Sequence, residues 1–166
     1  MRKYAQWILI SAVALLFVSQ SWATVQVVDA EGTLYSVDVV PAPGGHSLKA
    51  TALRYSRLSL NGAQRDGVIA PTQDASADRD PILVLATGAP RPILIWSRAD
   101  GQFDQLAYAR YDGSGWTQPT LLTNTPHDHL RPQAGVDASG TGYVVWVETG
   151  GSASVMLATF DPQTGN

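Results

Sequence analysis

A phrase that recurs three times constrains the fold of this chain more than any other feature of its sequence. The last copy reads Val136-Asp-Ala-Ser-Gly-Thr-Gly-Tyr-Val-Val-Trp-Val147, and the first reads Val28-Asp-Ala-Glu-Gly-Thr-Leu-Tyr-Ser-Val-Asp-Val39. A looser copy between them ends in the run Ile93-Leu-Ile-Trp-Ser97. Each copy is a turn followed by an apolar run, so the chain is expected to fold as similar units placed one after another.

Two further features repeat in the same order. Aligning the apolar runs makes three positions equivalent: Asp38, Trp96 and Trp146. A segment ending in an aromatic residue follows each run at a similar distance, which makes a second set equivalent: Tyr55, Tyr111 and Phe160. The segments 72–81 and 123–132 have equal length, with Thr at the start and Pro at the end. The chain therefore carries an internal repeat of about fifty residues.

Each repeat is predicted to form four short β-strands. In the second repeat we expect strands near residues 81–85, 92–97, 105–111 and 116–122. Turn-forming pairs such as Asn61-Gly62 separate the runs and supply the left-handed backbone that tight hairpins need. The second strand is apolar on both faces, which indicates a sheet packed between two others. Four-stranded antiparallel units at this spacing are typical of propeller blades, so the predicted fold class is an all-β, incomplete or open β-propeller.

The same residues carry a resemblance to a known family. The run Asp137-Ala-Ser-Gly-Thr-Gly-Tyr-Val-Val-Trp146, the Tyr/Phe-Asp turns and Trp116-Thr-Gln-Pro119 resemble bacterial sialidase-like repeats of the BNR type, over about residues 24–166. The resemblance implies the propeller fold. Members of the family that are true sialidases also have a catalytic set, which consists of an arginine triad, a tyrosine nucleophile and acids spread over the blades. Arg110-Tyr-Asp-Gly-Ser-Gly-Trp116 occupies the turn of the family's Asp-box without its Ser-x-Asp-x-Gly-x-Thr-Trp spacing, and the catalytic set cannot be placed on this chain.

The number of predicted blades falls short of a closed ring. They occupy about residues 24–73, 81–123 and 132–166, and the third stops before its fourth strand. This makes about 2.75 blades, whereas closed propellers use 4 to 8. Strand edges and apolar faces of the outer blades would stay open to association. Three explanations follow: the chain is the front part of a longer protein, it closes by assembling with copies of itself, or the repeat is misread and the chain is a small β-sandwich.

The first stretch has the pattern of a secretory signal peptide. Arg2 and Lys3 form a positive start, residues 7–18 are almost wholly apolar, and Ser21-Trp-Ala23 places small residues where signal peptidase reads them. The alternative is an uncleaved membrane anchor, but the apolar run is shorter than the ~20 residues that a spanning helix needs. We predict cleavage after Ala23, no membrane association of the mature chain, and a periplasmic or extracellular location.

Composition and spacing exclude several kinds of function. The chain has no cysteine, which excludes disulfides, thiolate metal sites, a cysteine nucleophile and a lipid-anchor cysteine. Its formal net charge is -3, with Lys and Arg scattered, which argues against a nucleic-acid partner. No Gly-rich phosphate loop and no Ser-His-acid spacing stand out, so no cofactor and no catalytic residue are predicted.

Two polar clusters are candidates for a binding site. In His127-Asp-His129, alternate residues of an extended segment would point both imidazoles at one metal such as zinc, but no third ligand is signalled. The alternative is a solvated loop. Asp74, Ser76, Asp78 and Asp80 alternate oxygen-bearing side chains as calcium loops do, without the Gly and Glu of an EF-hand. The alternative there is an acidic linker between blades.

The two clusters occupy equivalent linkers, which in a propeller open on the same face as the connection between strands two and three. We therefore predict one ligand-binding rim around a central channel. Trp116 follows a Gly-rich turn and is the candidate for an exposed aromatic platform, whereas Trp96 and Trp146 are predicted to be core residues. The candidate ligand-binding residues are Arg98, Trp116, His127, Asp128, His129, Arg131, Asp78, Arg79 and Glu148.

The sequence predicts an exported, propeller-type binding or scaffold protein that recognises a glycan or a protein through loops on one face. Self-association through open blade edges is a further expectation. The alternative is the N-terminal part of a sialidase-like glycoside hydrolase, which would need carboxylates held at a defined separation. One fold hosts many functions, so neither reading selects a substrate.

Overall fold

A computed structural model of the chain describes residues 24–42, 50–69, 72–85 and 91–165, without the side chain of Asp100. The predicted signal peptide, residues 1–23, lies outside the described residues. Within them there is no helix of the length and apolar character needed to cross a membrane.

The described residues form three antiparallel sheets, here called blades 1, 2 and 3, in chain order. Neighbouring strands of each sheet follow one another in sequence, as expected of propeller blades. This confirms the predicted all-β architecture of four-stranded antiparallel blades and excludes the two-sheet sandwich. Blade 1 contains β1 (Val25–Val28), β2 (Leu34–Pro41), β3 (Thr51–Leu58) and β4 (Gln64–Val68); blade 2 contains β5 (Asp78–Leu85), β6 (Pro92–Asp100), β7 (Phe103–Arg110) and β8 (Thr120–Leu121); blade 3 contains β9 (Asp128–Val136), β10 (Gly142–Thr149) and β11 (Ala153–Phe160).

The repeated phrase at the start of blades 1 and 3 is an Asp-capped turn. Asp137 Oδ1 accepts hydrogen bonds from the backbone N–H groups of Ser139 and Thr141, both at 2.9 Å. Asp29 Oδ1 likewise accepts from Thr33 N–H at 2.7 Å. The glycine of the phrase has a positive φ, 88° at Gly140, which an L side chain rarely adopts. The Asp-x-x-Gly-Thr pattern therefore forms the turn that joins strands one and two.

Two apolar cores lie between the blades. The first joins Tyr35, Val37 and Leu53 of blade 1 to Leu94 and Trp96 of blade 2. A second core lies between blades 2 and 3, and its buried members are Val84, Ile93, Ile95, Leu106, Tyr108, Val144, Trp146 and Phe160. Strand β6 is thus buried on both faces, as predicted. Strand β10 is buried on one face only, because blade 3 has a neighbouring blade on one side within the described residues.

Strand register confirms one predicted alignment and corrects another. Asp38, Trp96 and Trp146 are each the fifth residue of the second strand of their blade, so the three positions are equivalent. The predicted equivalence of Tyr55 with Tyr111 and Phe160 is wrong. Phe160 pairs with the first residue of β10, and its counterpart in blade 1 is Leu58, which pairs with the first residue of β2. The connection between β2 and β3 spans residues 42–50, against 101–102 in blade 2, so equal sequence spacing misaligned the third strand.

The fourth strand of blade 2 is shorter than predicted. Residues 116–122 were expected to form one strand, but β8 contains only Thr120 and Leu121. Trp116 makes an isolated bridge with Tyr111 instead. Pro119 interrupts the run, since proline has no N–H to give to a strand ladder.

The first strands of the blades lie innermost. Strand β1 contacts β5, and β5 contacts β9, across the blade boundaries. Both β5 and β9 contain a bulge, seen as a register shift between Arg79 and Ile82 in one and opposite Val145–Val147 in the other. Inner strands and their bulges set the geometry of the candidate site.

Candidate functional site

The polar clusters predicted to share a rim lie at one end of the blades. Asp78 opens β5 and pairs with Arg98 at the end of β6. His129, at the start of β9, pairs with Glu148 at the end of β10. Because Trp96 and Trp146 are equivalent, so are the residues two positions later, Arg98 and Glu148. In blade 2 the carboxylate of Asp78 is on the first strand and the cation of Arg98 is on the second. In blade 3 the order is reversed, with the imidazole of His129 on the first strand and the carboxylate of Glu148 on the second. We call this end of the blades the rim.

In blade 2 the rim contains a buried ion pair. Asp78 is 0% exposed. Its Oδ1 accepts a hydrogen bond from Trp96 Nε1 at 2.5 Å and lies 2.9 Å from Arg98 Nη1. Arg98 Nη2 also contacts Asp74. Burial raises the pKa of Asp78 from 3.8 to about 6, although Arg98 and the Trp96 hydrogen bond act to lower it. The predicted acidic linker is here a strand end, and its aspartate is a partner of Arg98.

In blade 3 the equivalent position holds a buried histidine. His129 is 1% exposed, so the solvated-loop alternative is wrong for this residue. Its Nε2 lies 2.8 Å from Thr125 Oγ1 and 3.5 Å from Glu148 Oε2. Its ring stacks on Trp146 with centroids 5.6 Å apart. Burial lowers the pKa of His129 below its usual 6.5, more than Glu148 raises it, and this favours the neutral ring.

This second cluster is less completely hydrogen-bonded than the first. Within the described residues, His129 Nδ1, Trp146 Nε1 and the Nδ1 atom of His127 are buried and have no partner. His127 packs directly on Gly150, where a Cβ would overlap the ring. In the described part of the chain no three His, Cys, Asp or Glu side chains converge to hold a metal ion. The predicted two-histidine arrangement therefore gains no third ligand there.

Two charged residues stand in left-handed backbone at the bulges. Asp80 has φ 50° and Arg131 has φ 53°, and each directly precedes a proline. Positive φ is uncommon for residues other than glycine, and strained positions concentrate at binding and catalytic sites. The Arg131 backbone N–H donates to Asp80 Oδ2 at 3.2 Å, across the blade boundary. Both side chains are exposed, so the bulges present one negative and one positive group side by side on the inner strands.

Asp104 on β7, which sequence reasoning missed, contacts residues of both blade 2 and blade 3. Arg79 Nη1 lies 3.3 Å from Asp104 Oδ2. Asp128 Oδ1 accepts a hydrogen bond from the Asp104 backbone N–H at 2.9 Å. Burial raises the pKa of the Asp104 carboxyl. The available signal was an acidic residue in the mostly apolar strand β7. The structure thus brings together eight of the predicted residues: Asp78, Arg79, Arg98, His127, Asp128, His129, Arg131 and Glu148.

Trp116 does not belong to the rim. It lies near the start of β6, through its bridge to Tyr111, whereas the rim lies at the end of β6. Its half-buried indole packs edge-on against Tyr111, with centroids 5.6 Å apart, and against Tyr55 at 6.3 Å. The predicted exposed platform is wrong, because this side chain completes the aromatic packing between blades 1 and 2.

A groove of about 650 Å³ adjoins the rim between blades 1 and 2. Its walls are mostly apolar, with Val39, Pro41 and Ala50 on one side. Arg79 and Ala99 lie on the other side. The groove therefore offers apolar surface next to the charged groups of the inner strands.

Comparison with known proteins supports the fold. No protein-family model matches the sequence, and no curated protein matches it. The structure is similar to a protein assigned as an exo-beta-1,3-galactanase from Bifidobacterium bifidum s17, with TM-score 0.54 and 11% identity, over 84% of this chain and 49% of that one. It is also similar to an endo-arabinase from Bacteroides thetaiotaomicron VPI-5482, with TM-score 0.50 and 16% identity, over 81% and 53% of the chains.

A third similar structure is a GH43 endo-arabinanase from Bacillus licheniformis, with TM-score 0.51 and 15% identity, over 88% of this chain and 56% of that one. The chain thus spans about half the length of these three solved structures. At these identities the similarity establishes a shared β-propeller type of fold.

Proposed function

We propose that the protein is an exported β-propeller that binds a polysaccharide at the rim of its inner strands. The observation that carries this proposal is the pair of left-handed bulges, which hold Asp80 and Arg131 side by side and exposed. Strain of this kind persists where the surrounding structure over-determines it, and it concentrates at ligand sites. The three similar structures are named for enzymes acting on galactan or arabinan, which supports a glycan rather than a protein as the ligand.

The chemistry of the rim suits sugar hydroxyl groups. A carboxylate accepts two hydrogen bonds and a guanidinium donates several in a fixed fork, so adjacent Asp80 and Arg131 can engage neighbouring hydroxyls. Glu148 is partly exposed next to the buried His129, and Arg79 is partly exposed next to the groove. The groove between blades 1 and 2 adds apolar surface for the carbon faces of the sugar rings.

Export belongs to the same proposal. The positive start, the apolar run and the small residues before Thr24 are the pattern of a cleaved secretory signal. A polysaccharide-binding protein meets its ligand in the periplasm or outside the cell, so the location and the ligand class agree. Mass spectrometry of the mature N-terminus tests the cleavage: a protein that starts at Met1 would contradict it.

A second candidate, the N-terminal part of a glycoside hydrolase of the sialidase-like or a related propeller type, has its own support. Asp78 is a rim carboxyl whose pKa is raised to about 6, and such perturbed acids are frequent in glycosidases. Its complete burial and its pairing with Arg98 favour a structural role instead. We therefore place binding first and hydrolysis second.

The test uses arabinan and galactan, the polymers in the names of the similar enzymes, as immobilised ligands in affinity electrophoresis. Asp80→Asn and Arg131→Asn remove the charges while keeping a residue that tolerates left-handed backbone. Each is expected to weaken retardation by about tenfold, the loss of one or two charge-assisted hydrogen bonds. Arg65→Ala, at an exposed position of the outer strand β4, is the matched control and should bind normally. Equal retardation of all variants, or none of the wild type on any glycan, would contradict the proposal.

Release of reducing sugar from the same polymers separates the two candidates. Binding without release supports the binding protein. Release by the wild type that Asp78→Asn abolishes, with folding unchanged in the circular dichroism spectrum, would favour the hydrolase.

A further inference from the structure

Three carboxylates lie close together where the rims of blades 2 and 3 meet. Strand register puts Arg79 and Asp104 on the same side of blade 2, the side that faces blade 3. Asp128 of blade 3 reaches this place, because its Oδ1 accepts the backbone N–H of Asp104. The charges of Asp80 and Asp128 both act on the Asp104 carboxyl. We name these three carboxylates and Arg79 the acidic corner of the rim.

The acidic corner carries more negative than positive charge. Arg79 Nη1 lies 3.3 Å from Asp104 Oδ2, and the Arg79 side chain is 44% exposed, so solvent weakens this pair. Arg131 contacts Asp80 through its backbone N–H, which carries no net charge. Burial raises the pKa of Asp104 more than Arg79 lowers it, and the two neighbouring carboxylates raise it further. A positively charged group bound here would relieve the repulsion between them.

Two buried oxygen atoms on this side of blade 2 also lack a hydrogen-bond partner. Asp104 is 8% exposed, and its Oδ1 accepts no hydrogen bond from the described residues. Ser97 is 0% exposed and pairs with Arg79, and its Oγ is equally without a partner in the described part of the chain. Buried polar atoms are nearly always hydrogen-bonded. A carboxylate oxygen only accepts hydrogen bonds and a hydroxyl oxygen can accept them, so a donor would satisfy both atoms.

We propose that the polysaccharide bound at the rim carries free primary ammonium groups, and that one of them binds between Asp80, Asp104 and Asp128. This inference rests on the proposed function and narrows its ligand to an amine-bearing sugar polymer. An ammonium group supplies the missing positive charge and three N–H donors, whereas a sugar hydroxyl supplies one donor and no charge. A polymer of uronic acids would add negative charge to the acidic corner, so it is expected to bind worst.

Isothermal titration calorimetry with two tetrasaccharides that differ only in their amines tests the proposal. One is the linear tetramer of glucosamine, in a buffer acidic enough to protonate it, and the other is the same tetramer with every amine acetylated. We expect the wild type to bind the glucosamine tetramer at least about tenfold more tightly, because the contact is charge-assisted. Asp104→Asn and Asp128→Asn should each remove most of this preference. Asp66→Asn, on the exposed outer strand β4, changes the net charge equally and should retain it.

Equal affinity for the two tetramers would overturn the proposal. A preference that both variants retain would also overturn it, because the protein would then attract the amine through its overall charge. Circular dichroism checks that each variant is folded, and two variants are used so that one folded protein remains to decide. Binding of arabinan or galactan without a preference for the amine sinks this inference and leaves the proposed function standing. Absence of binding to every one of these glycans overturns both, so the two failures are distinguishable.

Discussion

The rims of blades 2 and 3 are built on the same frame but carry opposite chemistry. Asp78 and His129 occupy equivalent positions at the start of an inner strand, and both are buried. Asp78 is held by a cation and an indole N–H, so its charge has partners. His129 is stacked on Trp146, burial favours its neutral form, and one of its nitrogen atoms has no partner among the described residues. The backbone thus fixes where a buried polar group lies, and in both blades burial shifts the pKa toward the neutral form more than the strand-two neighbour shifts it back.

The largest expected effect comes from removing the cation of blade 2. Arg98→Met leaves the Asp78 carboxylate buried without its ion-pair partner, and we expect a loss of about 3–5 kcal/mol in the free energy of unfolding. Urea denaturation followed by tryptophan fluorescence measures it. The double variant Asp78→Asn with Arg98→Met is the control, because its amide oxygen still accepts from Trp96 and no charge is buried. A double variant as unstable as the single one would show that packing of Arg98, rather than charge, is responsible.

The two blades are expected to respond to pH in opposite directions. The folded-state pKa of Asp78, about 6, exceeds its ordinary 3.8, so the stability linked to this proton is complete below pH 3.8 and is lost as pH rises through 6. The slope is up to about 1.4 kcal/mol per pH unit in that window. The lowered pKa of His129 acts the other way, because the unfolded chain takes up a proton first as pH falls below 6.5.

Chemical denaturation from pH 4 to pH 7 of the wild type, Asp78→Asn and His129→Phe separates these contributions. Asp78→Asn should flatten the decline in stability between pH 4 and pH 6. His129→Phe should leave that decline steeper than in the wild type. Identical pH profiles for all three proteins would show that neither group is linked to folding.

A smaller effect is expected from truncating the neutral member of the comparison. His129→Ala removes the ring stacked on Trp146 and the contact with Thr125, and we expect a loss of about 2 kcal/mol in unfolding free energy. His129→Phe refills the space without a nitrogen atom and should recover most of that loss. Recovery by Gln but not by Phe, in the same denaturation assay, would mean that the hydrogen bond outweighs the stacking.

The smallest effect is expected at the ion pair between Arg79 and Asp104, which lies within blade 2. The Arg79 side chain is 44% exposed where it meets Asp104, so solvent screens the pair. Arg79→Ala should change the free energy of unfolding by less than about 1 kcal/mol. A loss as large as that of Arg98→Met would show that this ion pair is part of the buried network.

The sequence predicted the blades because their features are local. Alternating apolar runs and Asp-capped turns recur at fixed spacing, and Trp96 and Trp146 are core residues as expected. It failed where spacing varies, as at Tyr55, since the long β2–β3 connection shifts the strand. It also failed at Trp116, whose surroundings are supplied by Tyr55 and Tyr111 from other strands.

For the rim, the sequence predicted which residues lie at the same end of the blades, but it did not predict which of them are buried. Alignment of linkers brought Asp78, Arg98, His129 and Glu148 to one end. Charged residues are usually solvated, so burial of Asp78 and His129 was unexpected. Both side chains are enclosed by residues distant in sequence: Asp78 contacts Trp96 and Arg98, and His129 stacks on Trp146. Asp104 was missed because its partners, Arg79 and Asp128, come from two different blades.

The bulges of β5 and β9 have a consequence for how such a protein changes over time. Asp80 and Arg131 lie outside the packed faces of their strands, and one position is acidic while the other is basic. A substitution there changes the charge on the surface of the inner strands and replaces no side chain of either interblade core. The range of replacements is narrow, because both positions have left-handed backbone and the Asp80 carboxylate accepts the Arg131 N–H across the blade boundary. Asn and Gly are the replacements that such a backbone strains least.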